Sequence, residues 1–240
     1  MKYLSIILFY VLATSVAISQ ELTGQDLLHK AIAFHDPYQN WPTFNGDLKV
    51  TMNTPNKPAR KSKILINLPE DFFSVQATVD TTTTTYTLNK GECTIALNGN
   101  KYLTEAELAA NNLSCERALL YKNYYTYLYG LPMKLKDPGT IIAPDVTRKT
   151  FKGKEYLVLK VTYEEAVGND IWFFYFDPNT FAMEVYQFFK TDDKGQLKPT
   201  TGEYILLTDL VEINAIKMPK VRAWYYNKND HYLGTDTLKN

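Results

Sequence analysis

The hydrophobic positions of this chain fall into many short runs of β character, interrupted by two stretches where they recur at helical spacing. Thr23-Gly24-Gln25-Asp26 has the spacing of a capping box, with Thr23 as N-cap and Asp26 reaching back to it. Leu27, Leu28, Ile32 and Phe34 follow, and the helix they predict stops before Pro37. Strands are then expected at Gly46 to Asn53, Lys61 to Leu68, Phe72 to Val79, Thr83 to Leu88 and Cys93 to Leu97. Asn, Pro, Asp or Gly punctuates them at the spacing of a sheet-rich domain. The middle of the chain predicts two helices. Glu, Ala and Leu dominate Thr104 to Asn112, and Glu116 to Tyr129 carries Leu119, Leu120, Tyr124, Tyr127 and Leu128 before Gly130 and Pro132 end it. Leu131 to Pro144 reads as a loop. Strands resume at Tyr156 to Tyr163, Ile171 to Phe176, Phe181 to Phe189, Tyr204 to Val211 and Val221 to Tyr226.

One predicted hairpin is unusually apolar. Asp177-Pro178-Asn179-Thr180 is a turn signature with Pro at its second position. With Pro178 and Asn179 as the loop, one face carries Trp172, Phe174, Phe176, Phe181, Met183, Val185 and Phe189. The other carries Ile171, Phe173, Tyr175, Ala182, Glu184, Tyr186 and Phe188. A bulge in the loop would slip this register by one residue and change both sets. A solvent-backed sheet alternates apolar with polar residues, so both faces here need cover. Two readings follow. Helices and the curled sheet fill the space with side chains, or Trp172, Phe174, Phe176, Phe181, Met183 and Val185 line a concave cavity for an apolar ligand.

Composition supports a sheet-rich, ordered chain. Of 240 residues, 18 Tyr, 12 Phe and 3 Trp make 14 % aromatic, which favours pleated surfaces. Apolar residues at 45 % and charged residues at 22 % exclude disorder and collagen-like repeats. The 26 Lys+Arg balance 26 Asp+Glu, so no strong field steers nucleic acid to the chain. Met1-Lys2, the apolar run Tyr3 to Val16 and the small residues Ala17-Ile18-Ser19 have the layout of a signal peptide over residues 1–19, cleaved before Gln20. That run is shorter than the roughly 20 residues of a spanning helix. Residues 20–240 show no composition break and no internal repeat, and read as one exported domain without a transmembrane anchor. Cys93 and Cys115, the only cysteines, form a disulfide or stay as buried thiols.

Catalytic motifs are scarce. After residue 19 the serines are Ser62, Ser74 and Ser114, and none lies in a nucleophile elbow. His29 and His35 are six apart on the first helix and share no face, so no metal site is expected there. Asp192-Asp193-Lys194-Gly195 lacks the alternating ligands of a calcium loop and reads as a hairpin turn. Lys57 to Lys63 holds four basic residues, a solvated hairpin flank or a contact for anionic lipid.

Several short motifs carry a resemblance. They are His35-Asp36-Pro37 with Trp41, Tyr129-Gly130-Leu131-Pro132, Trp172-Phe173-Phe174-Tyr175-Phe176-Asp177, Gly202-Glu203-Tyr204, Met218-Pro219-Lys220 with Trp224-Tyr225, and Gly234-Thr235-Asp236. With these, the chain resembles an exported Bacteroidota family of unknown function, and more broadly the outer-membrane lipoprotein carrier superfamily. The resemblance implies a mainly β, α+β fold. Its sheet would be a strongly curved, incompletely closed antiparallel barrel with helices plugging the open side. It further implies periplasmic, non-enzymatic binding of an acyl chain, lipid or lipoprotein without a cofactor. Two alternatives remain at this point: a secreted hydrolytic enzyme using His35 and Asp36, and a structural envelope protein with a filled core. Near a helix end, His35 is expected to cap or pack rather than to catalyse.

Overall fold

The computed structural model describes residues 21–239; the expected signal peptide and its cleavage point before Gln20 lie outside them. Helix α1, Gly24–His35, starts on the expected capping box, with the Asp26 amide donating to the Thr23 hydroxyl oxygen and the Asp26 carboxylate accepting from the Thr23 amide. Five strands follow a 3-10 turn at Trp41–Thr43: β1 Asn45–Asn53, β2 Arg60–Asn67, β3 Phe72–Val79, β4 Thr82–Asn89 and β5 Glu92–Leu97. Lys90 and Gly91 both take positive φ, the tight hairpin turn that matches strand twist. Helices α2, Glu105–Ala110, and α3, Cys115–Gly130, come next. The remaining strands are β6 Thr140–Phe151, β7 Lys154–Tyr163, β8 Ile171–Phe176, β9 Met183–Phe189, β10 Glu203–Ile213, β11 Ile216–Tyr226 and β12 Tyr232–Lys239.

All twelve strands form one antiparallel sheet in the order β5-β4-β3-β2-β1-β12-β11-β10-β9-β8-β7-β6. Two meanders are joined where β12 pairs with β1, and β5 and β6 are the free edges, so the sheet is an incompletely closed half-barrel. Helix α3 packs on β3, β4 and β5, while α1 packs on β6, β7 and β11.

Two hydrophobic clusters occupy the helix-covered face. The first joins Leu48, Val50, Ile64, Phe73 and Tyr86 of the sheet to Ala118, Tyr125 and Tyr129 of α3. The second joins Leu27, Leu28 and Ala31 of α1 to Leu159, Phe174, Phe176, Tyr186 and Ile205. A third, on the back of the sheet, holds Tyr156, Val158, Tyr175, Val185 and Tyr204. Lysines cover that back cluster: Lys149 donates to the Tyr175 hydroxyl at 3.3 Å, and Lys152 lies 4.9 Å from the Tyr204 ring. Long amphipathic stems thus hide aromatic surface while their charges stay wet.

Two strands differ from expectation. β6 occupies part of the expected Leu131 to Pro144 loop and runs on to Phe151, because an exposed edge strand needs no apolar alternation. β12 has no signature in the pattern either, since its inward positions are Gly234, Asp236 and Leu238 rather than an apolar row. The disulfide alternative is the one observed: Cys93 on β5 is bonded to Cys115 at the start of α3.

Candidate functional site

The residues expected to line a cavity form part of a packed wall. Phe174 and Phe176 are fully buried and Met183 nearly so, against the α1 side chains Leu27, Leu28 and Ala31. Trp172 and Phe181 sit half-buried at the margin, Trp172 stacked on Phe188 at 4.8 Å and Phe181 beneath the Lys30 ammonium at 5.1 Å. Val185 is a correction: it faces the back of the sheet, paired with Tyr175. The cause is the turn. The Asp177 carboxylate accepts from the Asn179 and Thr180 amides, the Phe181 amide bonds back to the Asp177 carbonyl, and Phe181 takes φ +63°. The loop therefore runs to Ala182 instead of two residues, which pairs Phe174 with Tyr186 and turns Tyr186 inward in place of Val185.

His35 and Asp36 are buried and used structurally. The His35 Nε2 accepts from the Met183 amide at 2.9 Å, which fixes the proton on Nδ1, and Nδ1 donates to the Lys217 carbonyl at 2.7 Å. Burial pushes the imidazole down from 6.5 to about 4. One neutral ring thus ties α1 to β9 and β11. The Asp36 carboxylate accepts from the Asn40 and Trp41 amides at 2.8 and 2.9 Å, capping the 3-10 turn that presents Trp41. The Trp41 indole in turn lies against Gly130, where a side chain would collide with it. Two of the short motifs read from the sequence therefore meet in one joint.

Between the two inner clusters runs a polar seam. Register places Arg60 of β2 beside Met52 of β1, Met52 beside Asp236 of β12, and Asp236 beside Arg222 of β11. Arg222 and Asp236 are almost wholly buried. The Arg222 guanidinium donates to the Pro219 and Leu128 carbonyls at 3.1 Å and lies 4.2 Å from the Tyr129 ring. Burial raises the Asp236 carboxyl, against the pull of Arg222 and Arg60. Burial likewise raises the Tyr129 and Tyr186 hydroxyls. Buried polar atoms without a partner gather here: Nε of Arg60 and of Arg222, the hydroxyls of Tyr129 and Tyr186, Nε1 of Trp224 and Oδ1 of Asp236. None of these six atoms has a hydrogen-bond partner among the protein groups around it.

The seam ends in an open pocket of about 210 Å³ under α3. Val75, Ala77, Val79, Tyr86, Leu113 and Tyr121 form its apolar walls, and Arg60 and Arg117 its charged groups. Of the four basic residues between Lys57 and Lys63, Arg60 alone lines it; Lys63 turns outward to Asp47 at 3.2 Å. Sequence reasoning missed both seam and pocket, because a buried Arg or Asp reads as surface. The available signal was Arg222 standing at period two from the apolar Ile216 and Met218. Among the described residues, no group of three or more His, Cys, Asp or Glu could hold a metal ion, and no helix is long and apolar enough to cross a membrane.

Solved structures give distant likenesses. A LolA superfamily protein from Nitrosomonas europaea matches with TM-score 0.48 at 10 % identity, over 91 % of this chain and 92 % of that one. A DUF1329 family protein from Desulfovibrio piger matches with TM-score 0.48 at 8 % identity, over 90 % and 91 %. No curated protein matches the sequence. The sequence model of DUF6503, a family of unknown function, matches residues 2–240, and the chain belongs to that family.

Proposed function

We propose that this protein is a non-enzymatic, exported binding protein that holds an acyl chain, of a lipid or a lipoprotein, on the helix-covered face of its half-barrel. The observation that carries the reading is the pocket under α3, which has apolar walls on β3 and β4 and stays open while the rest of that face is packed. Its volume, about 210 Å³, is below the roughly 300–1,000 Å³ of sites that enclose a drug-sized ligand, so it suits one end of a longer molecule. The half of the face around Phe174 is filled by α1, so the ligand end is assigned to the α3 half and not to Trp172 and its neighbours. His35 has both ring nitrogens engaged by backbone groups, which removes the base that the hydrolase alternative relied on. The Cys93–Cys115 disulfide supports an oxidising compartment such as the periplasm.

A fluorescent fatty-acid probe should bind the purified protein saturably with a stoichiometry near one. Ala77→Phe should fill the pocket and abolish binding while the melting temperature holds. Folded wild-type protein that shows no saturable binding and carries no lipid through purification would overturn the reading.

A further inference from the structure

We propose that the ligand end received by this pocket is anionic, a carboxylate or phosphate on an acyl chain, gripped by the guanidinium groups of Arg60 and Arg117. The inference rests on the acyl-chain reading above and names the chemistry of the ligand's head. Its grounds are charge and pairing. The chain as a whole is balanced, with 26 basic and 26 acidic residues, yet the pocket lining includes two arginines and no Asp or Glu. The chain has only four arginines. Arg148, outside the pocket, is paired with Glu155 at 2.7 Å. Among the described residues, Arg60 and Arg117 form no salt bridge.

Neither guanidinium has a carboxylate partner among the described residues. Arg60 gives one hydrogen bond, from Nη2 to the Tyr125 hydroxyl at 3.1 Å, and its buried Nε has no partner. Arg117 lies 5.9 Å from the Tyr121 ring, on the pocket wall. Behind Arg60 the seam adds Arg222 and a single carboxylate, Asp236, whose own burial favours its neutral form. Asp236 is thus shared between Arg222, its neighbour on β11, and Arg60. Arginine's planar fork matches a carboxylate or phosphate with two parallel hydrogen bonds, which a lysine ammonium does not. An apolar wall beside unpaired guanidiniums selects an amphiphile with one charged end.

Calorimetric titration with four ligands tests this: decanoate, decyl phosphate, decanol and inorganic phosphate. Decanoate and decyl phosphate should bind about tenfold to a hundredfold tighter than decanol, the range expected for hydrogen bonds to charged groups. Inorganic phosphate should not saturate the site. Arg117→Gln, at a half-exposed position, should weaken decanoate about tenfold and leave decanol unchanged, with the melting temperature kept. Arg117→Gln carries the comparison because Arg60 also bonds Tyr125 of α3. Equal binding of decanol and decanoate would overturn the anionic head group and leave the acyl-chain reading standing. Phosphate binding as tightly as decyl phosphate would overturn it in favour of a plain anion site. Failure of every chain-bearing ligand would overturn both.

Discussion

Acidification should weaken this fold through a single imidazole. His35 is fully buried, accepts from the Met183 amide and donates to the Lys217 carbonyl, so a second proton would set two donors against each other at Nε2. Burial, with Lys217 and Arg222 nearby, holds the ring at about 4 in the folded chain against 6.5 when exposed. The unfolded chain therefore takes up its proton first as pH falls. Stability from the neutral ring is complete above pH 6.5, is lost progressively below it and is gone near pH 4. The full interval is worth about 3 kcal/mol, at about 1.4 kcal/mol for each tenfold change in proton affinity. His35→Ala removes this dependence and, at pH 7, costs about 3 kcal/mol or more, since it strands a buried amide and carbonyl and leaves a void. Urea unfolding of both proteins from pH 7 to pH 4.5 isolates the effect, because the other titrating groups cancel in the difference. The gap between them should narrow by about 2–3 kcal/mol on acidification. Parallel curves, or an NMR titration of His35 near pH 6.5, would refute the reasoning.

Two further outcomes follow from the joints around α3. Reducing the Cys93–Cys115 bond, or Cys115→Ser, should lower unfolding free energy by about 3 kcal/mol, read from urea midpoints with and without reductant. Gly130→Ala should cost about 1–3 kcal/mol in the same assay, because the added methyl meets the Trp41 indole, and Trp41→Leu in the same chain should restore part of that loss.

Much of the architecture was legible because local signals and packing agree. The capping box at Thr23, the Gly130 stop and the paired runs from Phe72 to Leu97 all report the element they build. Legibility failed where tertiary context supplies what the segment lacks. β6 is held by its pairing with β7 and by α1 packing over Ile142 and Val146, contacts that no local signal announces. β12 lies between β1 and β11, so its inner positions can be Gly234 and Asp236. The turn after Phe176 fooled the register because Asp177 holds a longer loop than Pro178-Asn179 suggested. As for the site, the apolar pattern of the hairpin around Phe174 left open a filled space or a cavity, and which helix covers which strands depends on contacts distant in sequence. Arg60 was visible only as one charge in a basic run.

An open sheet of twelve strands offers two templates for self-association, since each free edge can recruit a second copy by backbone pairing. Both templates are spoiled. β6 shifts register between Ile142 and Val146, with Pro144 inside the shift, and Asp145 bridges to Thr23 at the entry to α1. Exposed Arg148 and Lys149 then add charge along the outer half of the strand. β5 is short, folds back on itself through the Leu97–Asn100 bridge and is tied at Cys93 to α3. An incoming strand therefore finds a kink at one end of the sheet and a tether at the other.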